Sequence, residues 1–209
     1  MSWTEAAAAA ITLISVYLSA RQNIWSWPTA IVGVGIYVIV FWQSKLYADM
    51  GLQFVYIALS FYGWYEWLHG GENRGKLHVS SGWRNSYPLA LAIAITFALG
   101  LGTFLRRSTD AALPYADSTL TSFSLLAQWM MTRKYIENWF VWIAVDVFYI
   151  AMFTFKHLYL TALLYAVFIG VCWLGYVEWR RSLWSAAARR RFDGDAKAPH
   201  REDESLVSQ

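Results

Sequence analysis

The chain has little of what soluble catalytic or metal sites are built from. Its single cysteine, Cys172, sits in an apolar run, which excludes an intramolecular disulfide framework and a cysteine-rich metal site. The four histidines, His69, His78, His157 and His200, are scattered, and none stands at metal-ligand spacing from a carboxylate. There is no P-loop, so nothing points to ATP-driven transport by this chain. A glycine-rich nucleotide fold and a nucleophile elbow are missing as well. The expectation is a protein that is not an enzyme and carries no cofactor or metal. Charge is also scarce, at 15% of residues, and Lys plus Arg exceed Asp plus Glu by only 17 to 14. The basic cluster Arg189-Arg190-Arg191 suits anionic lipid, at about 1 kcal/mol per charge, better than a nucleic acid, and no nucleic-acid partner is expected.

What is abundant is apolar and aromatic. Hydrophobic residues make up 57% of the 209 positions and aromatics 18%, with 13 Trp and 13 Tyr. A soluble domain averages about 45–50% apolar. This composition predicts an all-α, polytopic membrane bundle whose rings lie at the interfaces or line a path. Spanning helices need roughly 17–25 mostly apolar residues, and seven segments qualify: 4–20, 26–43, 47–68, 87–105, 119–133, 138–155 and 158–179. The fifth is short and starts polar, with Ser118, Thr119, Thr121, Ser122 and Ser124. Glu5 and an alanine run stand where a signal peptide has its basic region, so the first helix is expected to be retained. Residues 69–86 are polar and Gly-rich and predict a surface loop. Residues 1–184 read as the transmembrane domain, and 185–209 as a disordered tail without a periodic apolar face.

The basic residues predict orientation. With seven spans, one side holds Arg21, Arg74, Lys76, Arg84, Arg133, Lys134 and the basic residues after Trp179; the other holds only Lys45, Arg106, Arg107 and Lys156. The positive-inside tendency puts the C-terminus in the cytoplasm and the N-terminus outside.

The chain also matches itself. Residues 13–67 lie over 125–179 at a constant offset without a gap, pairing Arg21 with Arg133, Trp27 with Trp139, Tyr37 with Tyr149, Tyr47 with Tyr159, Gly63 with Gly175, Glu66 with Glu178 and Trp67 with Trp179. Chance alignment of two apolar segments yields shared Leu, Ile and Val more readily than Trp, Tyr and Arg in register. Each copy holds three predicted helices, and one extra helix, 87–105, separates them. That single helix restores parity, so both copies insert in the same sense. Parallel three-helix repeats are a transporter architecture, with SWEETs as an example, and place the substrate near mid-membrane between the repeats. The alternative is a duplication retained only as scaffold.

The interior is where polar residues share a helix face. On the third helix, Gln53, Tyr56 and Ser60 follow i, i+3, i+7, with Trp64 and Trp67 near the membrane end, where the plain reading for Trp67 is an interfacial aromatic belt. On the fifth, Ser124 and Gln128 are i, i+4. On the sixth, Asn138, Trp142, Asp146 and Tyr149 make one polar-aromatic stripe. A carboxylate at the bilayer centre costs about 2.5–3.5 kcal/mol unless it faces protein, water or a partner, so the stripe is expected to face the bundle. The seventh adds Tyr165 and Trp173. Amides flanked by rings suit a flat neutral or cationic ring carrying hydroxyls, and Asp146 could balance a positive one. The competing readings are an interhelical hydrogen bond for Gln53 and a protonated or solvated acid for Asp146. Arg133, Lys134 and Glu137 read as a boundary loop with snorkelling side chains. Pro28, Gly33 and Gly35 are candidate flexing points, or only close-packing positions.

Taken together, Gln53-x-x-Tyr56, Tyr62-Gly63-Trp64-x-x-Trp67, Gln128, Lys134-x-x-Glu137-Asn138-Trp139-x-x-Trp142-x-x-x-Asp146, Leu158-Tyr159 and Tyr165 resemble the PnuC family of vitamin transporters over about residues 10–180. The resemblance implies a SWEET-like 3+1+3 fold and uptake of nicotinamide riboside by facilitated diffusion. It implies trapping by a cytosolic nicotinamide riboside kinase, a bacterial inner-membrane location and a homo-oligomer such as a trimer. Carried onto this chain, the family's substrate residues fall on Gln53, Tyr56, Trp64, Gln128, Asn138, Trp142 and Asp146. Related members are thought to carry thiamine or riboflavin, and the shared motifs do not separate these substrates. A non-transporting membrane scaffold or receptor stays open as a reading from another class.

Overall fold

The computed structural model describes residues 3–43, 47–82, 87–109, 113–155, 157 and 159–197. Lys45, Leu46, Arg84, Lys156, Leu158, Arg201 and the segment from 198 onward lie outside the described residues. Seven α-helices run through these residues: α1 (Trp3–Ala20), α2 (Ser26–Gln43), α3 (Tyr47–His69), α4 (Tyr87–Ser108), α5 (Pro114–Thr132), α6 (Asn138–Phe155) and α7 (Tyr159–Lys197). Four stretches, in α2, α4, α6 and α7, are long and apolar enough to cross a membrane, and Ala6–Ala20 of α1 is apolar but shorter. α3 and α5 are more polar because their hydroxyls are turned inward. Ser60, Ser118, Ser122 and Ser124 are all buried, so these helices present fewer polar groups to lipid than their composition suggests.

Two of the predicted boundaries change. α5 starts at Pro114, ahead of the expected 119, because proline at the first helical position has no N–H to leave unpaired and its φ suits a helix. The polar start that made this span look weak is absorbed locally: Thr119 Oγ1 donates to Tyr115 O at 2.6 Å, and Ser122 Oγ to Ala94 O of α4 at 2.6 Å. The second change is at the C-terminus. The seventh helix, expected to end at 179, runs on through the stretch read as tail to Lys197, in keeping with the high helix propensity of its Ala and Arg residues.

The packing forms a ring. α1 lies on α2, α2 on α3, α3 on α5, α5 on α6, α6 on α7, and α7 back on α1. α4 packs on α5 through Ala94, Ala98 and Gly102, where a Cβ on Gly102 would come 2.7 Å from Ser118 Oγ. Small residues at i, i+4, i+8 let the two backbones approach closely. Gly33 serves α1 and α2 the same way, since a Cβ there would stand 3.2 Å from Ile11. Gly35 has no such neighbour.

The ring maps onto itself under the sequence offset, and its core shows why. Trp27 and Trp67 meet edge to face at 5.3 Å, and their counterparts Trp139 and Trp179 at 5.2 Å. Trp67 and Trp179, which are counterparts of each other, meet at 5.9 Å. Trp67 Nε1 donates to Met131 O and Trp179 Nε1 to Ser19 O, each at 3.1 Å and each across to the other repeat. Arg133 pairs with Glu66 at 3.2 Å and Arg21 with Glu178 at 3.5 Å, again reciprocally. Gln22 and Lys134 both turn the chain with positive φ, 53° and 51°. Trp67, expected in an interfacial belt, is instead buried between the two halves at one end of the bundle. Lipid supplies no hydrophobic drive between helices. Ring contacts, about 0.5–1.5 kcal/mol each, and indole hydrogen bonds hold the two halves together.

One feature breaks the symmetry. The α3–α4 connection folds back over the α5–α6 turn: Leu77 N donates to Trp67 O, Ser80 pairs with Tyr135, and Ser81 Oγ donates to Glu137. It buries Lys134, whose Nζ donates to Leu77 O at 2.9 Å and lies 4.3 Å from the Trp67 ring centre. Lys134 and Arg133 were expected to snorkel. They are instead packing and pairing residues, because this strap covers one and Glu66 holds the other.

Candidate functional site

The stripe on α6 faces the bundle. Asn138 and Asp146 are buried and Trp142 and Tyr149 half-buried, whereas Phe140, Val147 and Phe148 on the opposite face are exposed. About three turns of one helix set the depth. At 1.5 Å per residue, Asp146 stands about 10 Å and Tyr149 about 15 Å beyond Trp139 along the axis. The tryptophan cluster therefore closes one end, with Trp64 and Trp142 packed against it.

Beyond it, side chains from five helices converge. Asp146 is 5% exposed, and Cys172 Sγ of α7 is 4.0 Å from its Oδ2. The hydroxyls of Tyr56 on α3 and Ser124 on α5 hydrogen-bond each other, with Tyr149 close by. Tyr165 of α7 stacks at a tilt on Tyr149, centres 4.9 Å apart, and lies within electrostatic reach of Asp146, Tyr56 and Tyr37 of α2. Among the described residues no Lys, Arg or His lies within ion-pair distance of Asp146. A carboxylate held inside an apolar ring without a basic partner is a place for a cation or a shared proton.

The amide end is chemically distinct. Asn138 Nδ2 donates to Tyr135 O at 2.6 Å. Among the described residues its Oδ1, together with Trp139 Nε1 and the counterparts Ser26 Oγ and Trp27 Nε1, is buried without a hydrogen-bond partner. Each such atom costs about 1–3 kcal/mol unless satisfied, so these are groups to which a polar solute can bond.

Of the residues singled out from sequence, Tyr56, Asp146, Tyr149 and Tyr165 come together, and Asn138, Trp142 and Trp64 form the layer next to them. Gln53 and Gln128 are half-buried on α3 and α5. Trp173 is not brought to this place: it is 55% exposed on the outside of α7.

The family described as Nicotinamide mononucleotide transporter matches residues 2–181. The chain belongs to this transporter family. The nicotinamide riboside transporter PnuC of Escherichia coli K12 is 27% identical over 91% of the chain and 88% of its own length. The riboflavin/roseoflavin transporter RibM of Streptomyces davaonensis is 25% identical over 90% of the chain and 87% of its own. The fold is similar to the crystal structure of the vitamin B3 transporter PnuC, with a TM-score of 0.68 at 23% identity, over 88% of this chain and 83% of that one. Membership in a transporter family makes this a multi-pass membrane protein and not an enzyme.

The sequence singled out neither Tyr37, which lies within electrostatic reach of Tyr165, nor the buried contact of Trp67 with Trp179. The signal was present in the repeat. Tyr37 is the counterpart of Tyr149, and residues kept identical in both copies are those that can meet at the axis between them.

Proposed function

We propose that this protein takes up nicotinamide riboside by facilitated diffusion, holding it between two parallel three-helix repeats in a SWEET-like 3+1+3 arrangement. The observation that carries the reading is Asp146, buried beside Tyr149, Tyr165 and Cys172 with no basic partner among the described residues. The pyridinium ring of the riboside supplies the missing positive charge, and the tyrosines supply faces on which it stacks, worth about 0.5–2 kcal/mol as cation–π attraction. The ribose hydroxyls are matched to amides, namely Asn138 Oδ1, Gln128 and Gln53, with Trp64 and Trp142 closing the pocket. The riboside enters with the N-terminus outside and the C-terminus in the cytoplasm of a bacterial inner membrane. Rocking of α1–α3 against α5–α7 exposes the site alternately, and a cytosolic riboside kinase makes uptake one-way. A homo-oligomer, such as a trimer, fits the long apolar faces left exposed on α4.

The test is uptake of labelled nicotinamide riboside into proteoliposomes containing only this protein. Flux down a gradient without ATP or an ion gradient is expected. Asn138→Ala or Gln128→Ala should lower it at least tenfold with membrane insertion unchanged. Unchanged kinetics in both variants would remove these amides from the site, and no flux at all would leave the receptor reading in its place. A second substrate reading is favoured by the similarity to RibM over nearly the whole chain: riboflavin, or another flat vitamin such as thiamine, in the same chamber. Riboflavin is neutral, so Asp146→Asn separates the two. It should weaken riboside uptake about tenfold and leave riboflavin uptake nearly unaffected.

A further inference from the structure

α7 has 39 residues, about 58 Å at 1.5 Å per residue, whereas the hydrocarbon core is about 30 Å thick. The helix must therefore leave the bilayer part-way along. Glu178, Arg180 and Arg181 are its first charges after the apolar stretch that opens at Tyr159, and they mark the exit. At this level, on the outside of the bundle, Trp173, Tyr176, Val177, Arg180, Arg181 and Trp184 line a shallow groove of about 560 Å³.

The two ends of the groove differ in chemistry. Trp173 and Val177 form an apolar floor inside the membrane-spanning stretch. Arg180 and Arg181 crown it, and the Arg180 guanidinium lies 5.9 Å from the centre of the exposed Trp184 ring. Charge does not balance here. Arg21 and Arg181 both reach Glu178, at 3.5 and 3.9 Å, and Arg180 stands apart from that carboxylate against Trp184, so this end of the groove carries more positive than negative charge. The duplication does not account for this. In the first repeat the same positions are Phe61, Trp64, Tyr65, Leu68, His69 and Glu72. Both copies are apolar at the two floor positions, and the arginine pair, just beyond the matched 125–179, falls opposite Leu68 and His69.

We propose that this groove binds an anionic phospholipid, with an acyl chain along Trp173 and Val177 and the headgroup phosphate between Arg180 and Arg181. The floor lies in the plane of the bilayer, where lipid is the surrounding solvent. Guanidinium pairs bind phosphate oxygens in a matched, bidentate geometry. Trp184 and Trp173 bracket the site as interfacial tryptophans do.

The test is tryptophan quenching of the purified full chain in vesicles containing brominated phosphatidylglycerol or brominated phosphatidylcholine. The wild type should prefer the glycerol lipid, and R180Q/R181Q should lose that preference by about fivefold per arginine. Arg180→Lys with Arg181→Lys keeps the charge but loses the bidentate fork, and should retain only part of it. R106Q/R107Q, which removes a basic pair from α4, should leave it unchanged. An undiminished preference in R180Q/R181Q, or an equal loss in the α4 variant, would overturn the site. So would full displacement of the bound lipid by inorganic phosphate, which would make the groove a soluble-anion site. If R180Q/R181Q does not insert, single R180Q and R181Q are read by the same quenching ratio, with the same outcomes deciding.

Discussion

Gly63 and Gly175 show how much single positions carry in this core. A Cβ at Gly63 would overlap the Trp27 ring and one at Gly175 the Trp139 ring, so each glycine lets a tryptophan lie against a helix backbone. Gly63→Ala and Gly175→Ala should each destabilise by about 1–3 kcal/mol through overpacking, and by similar amounts, because the two contacts are copies. Thermal unfolding in detergent checks both. Lys134 behaves differently. Burial first, and then the nearby charge of Lys76, pull its amine down from 10.5 to about 8. Between those two values the unfolded chain binds the proton and the folded one releases it, so stability should rise with pH across the window. Lys134→Met should abolish this rise. Apparent Tm of wild type and variant between pH 8 and 10 is the measurement, and parallel curves would refute the assignment.

The helices can be compared in pairs because the repeat supplies its own control. Arg133–Glu66 joins α5 to α3, and Arg21–Glu178 joins α1 to α7. The geometry is shared but the exposure is not: the Glu66 side chain is 14% exposed and that of Glu178 37%. An exposed pair is worth about 0–1 kcal/mol, and stranding a buried partner costs more, about 3–5 kcal/mol at full burial. Arg133→Ala should therefore destabilise clearly more than Arg21→Ala. Equal losses in denaturant unfolding would mean that burial is not what separates the two pairs. α5 carries the same lesson about context. Its serines and threonines look wrong for a membrane helix until their hydroxyls are seen bonding Tyr115 and Ala94 carbonyls.

For the molecule as a whole, the two seams between the repeats are not equivalent. The α3–α5 seam is strapped by the segment from Leu77 to Ser81 lying over Lys134, Tyr135 and Glu137. At the α1–α7 seam, Gln22 Nε2 donates to Ser182 Oγ at 2.7 Å beside the more exposed ion pair. If rocking opens the basic end, the second seam is the one that separates. With Cys172→Ser as background, joining Gln22→Cys to Ser182→Cys with a short thiol cross-linker should stop uptake. Joining Ser81→Cys to Glu137→Cys should leave most of it. The reverse result would place the hinge and the opening the other way round.

Much of this organisation was legible along the chain. Hydropathy placed the helices, because a bilayer imposes span length on any segment within it. The constant offset picked out pairs that recur in the core, such as Trp27–Trp67 and Trp139–Trp179, and the period of α6 put Asn138, Trp142, Asp146 and Tyr149 on one face. Those are local or periodic properties, and a linear pattern records them. Contacts across the axis are not local. That Trp67 meets Trp179, that the loop after α3 covers Lys134, that Trp173 turns outward while Cys172 turns toward Asp146, and that Tyr37 joins Tyr165 all depend on how six helices close into a ring. Neighbouring residues on one helix differ by about 100° in direction, and only the packing of the other helices decides which direction is inside.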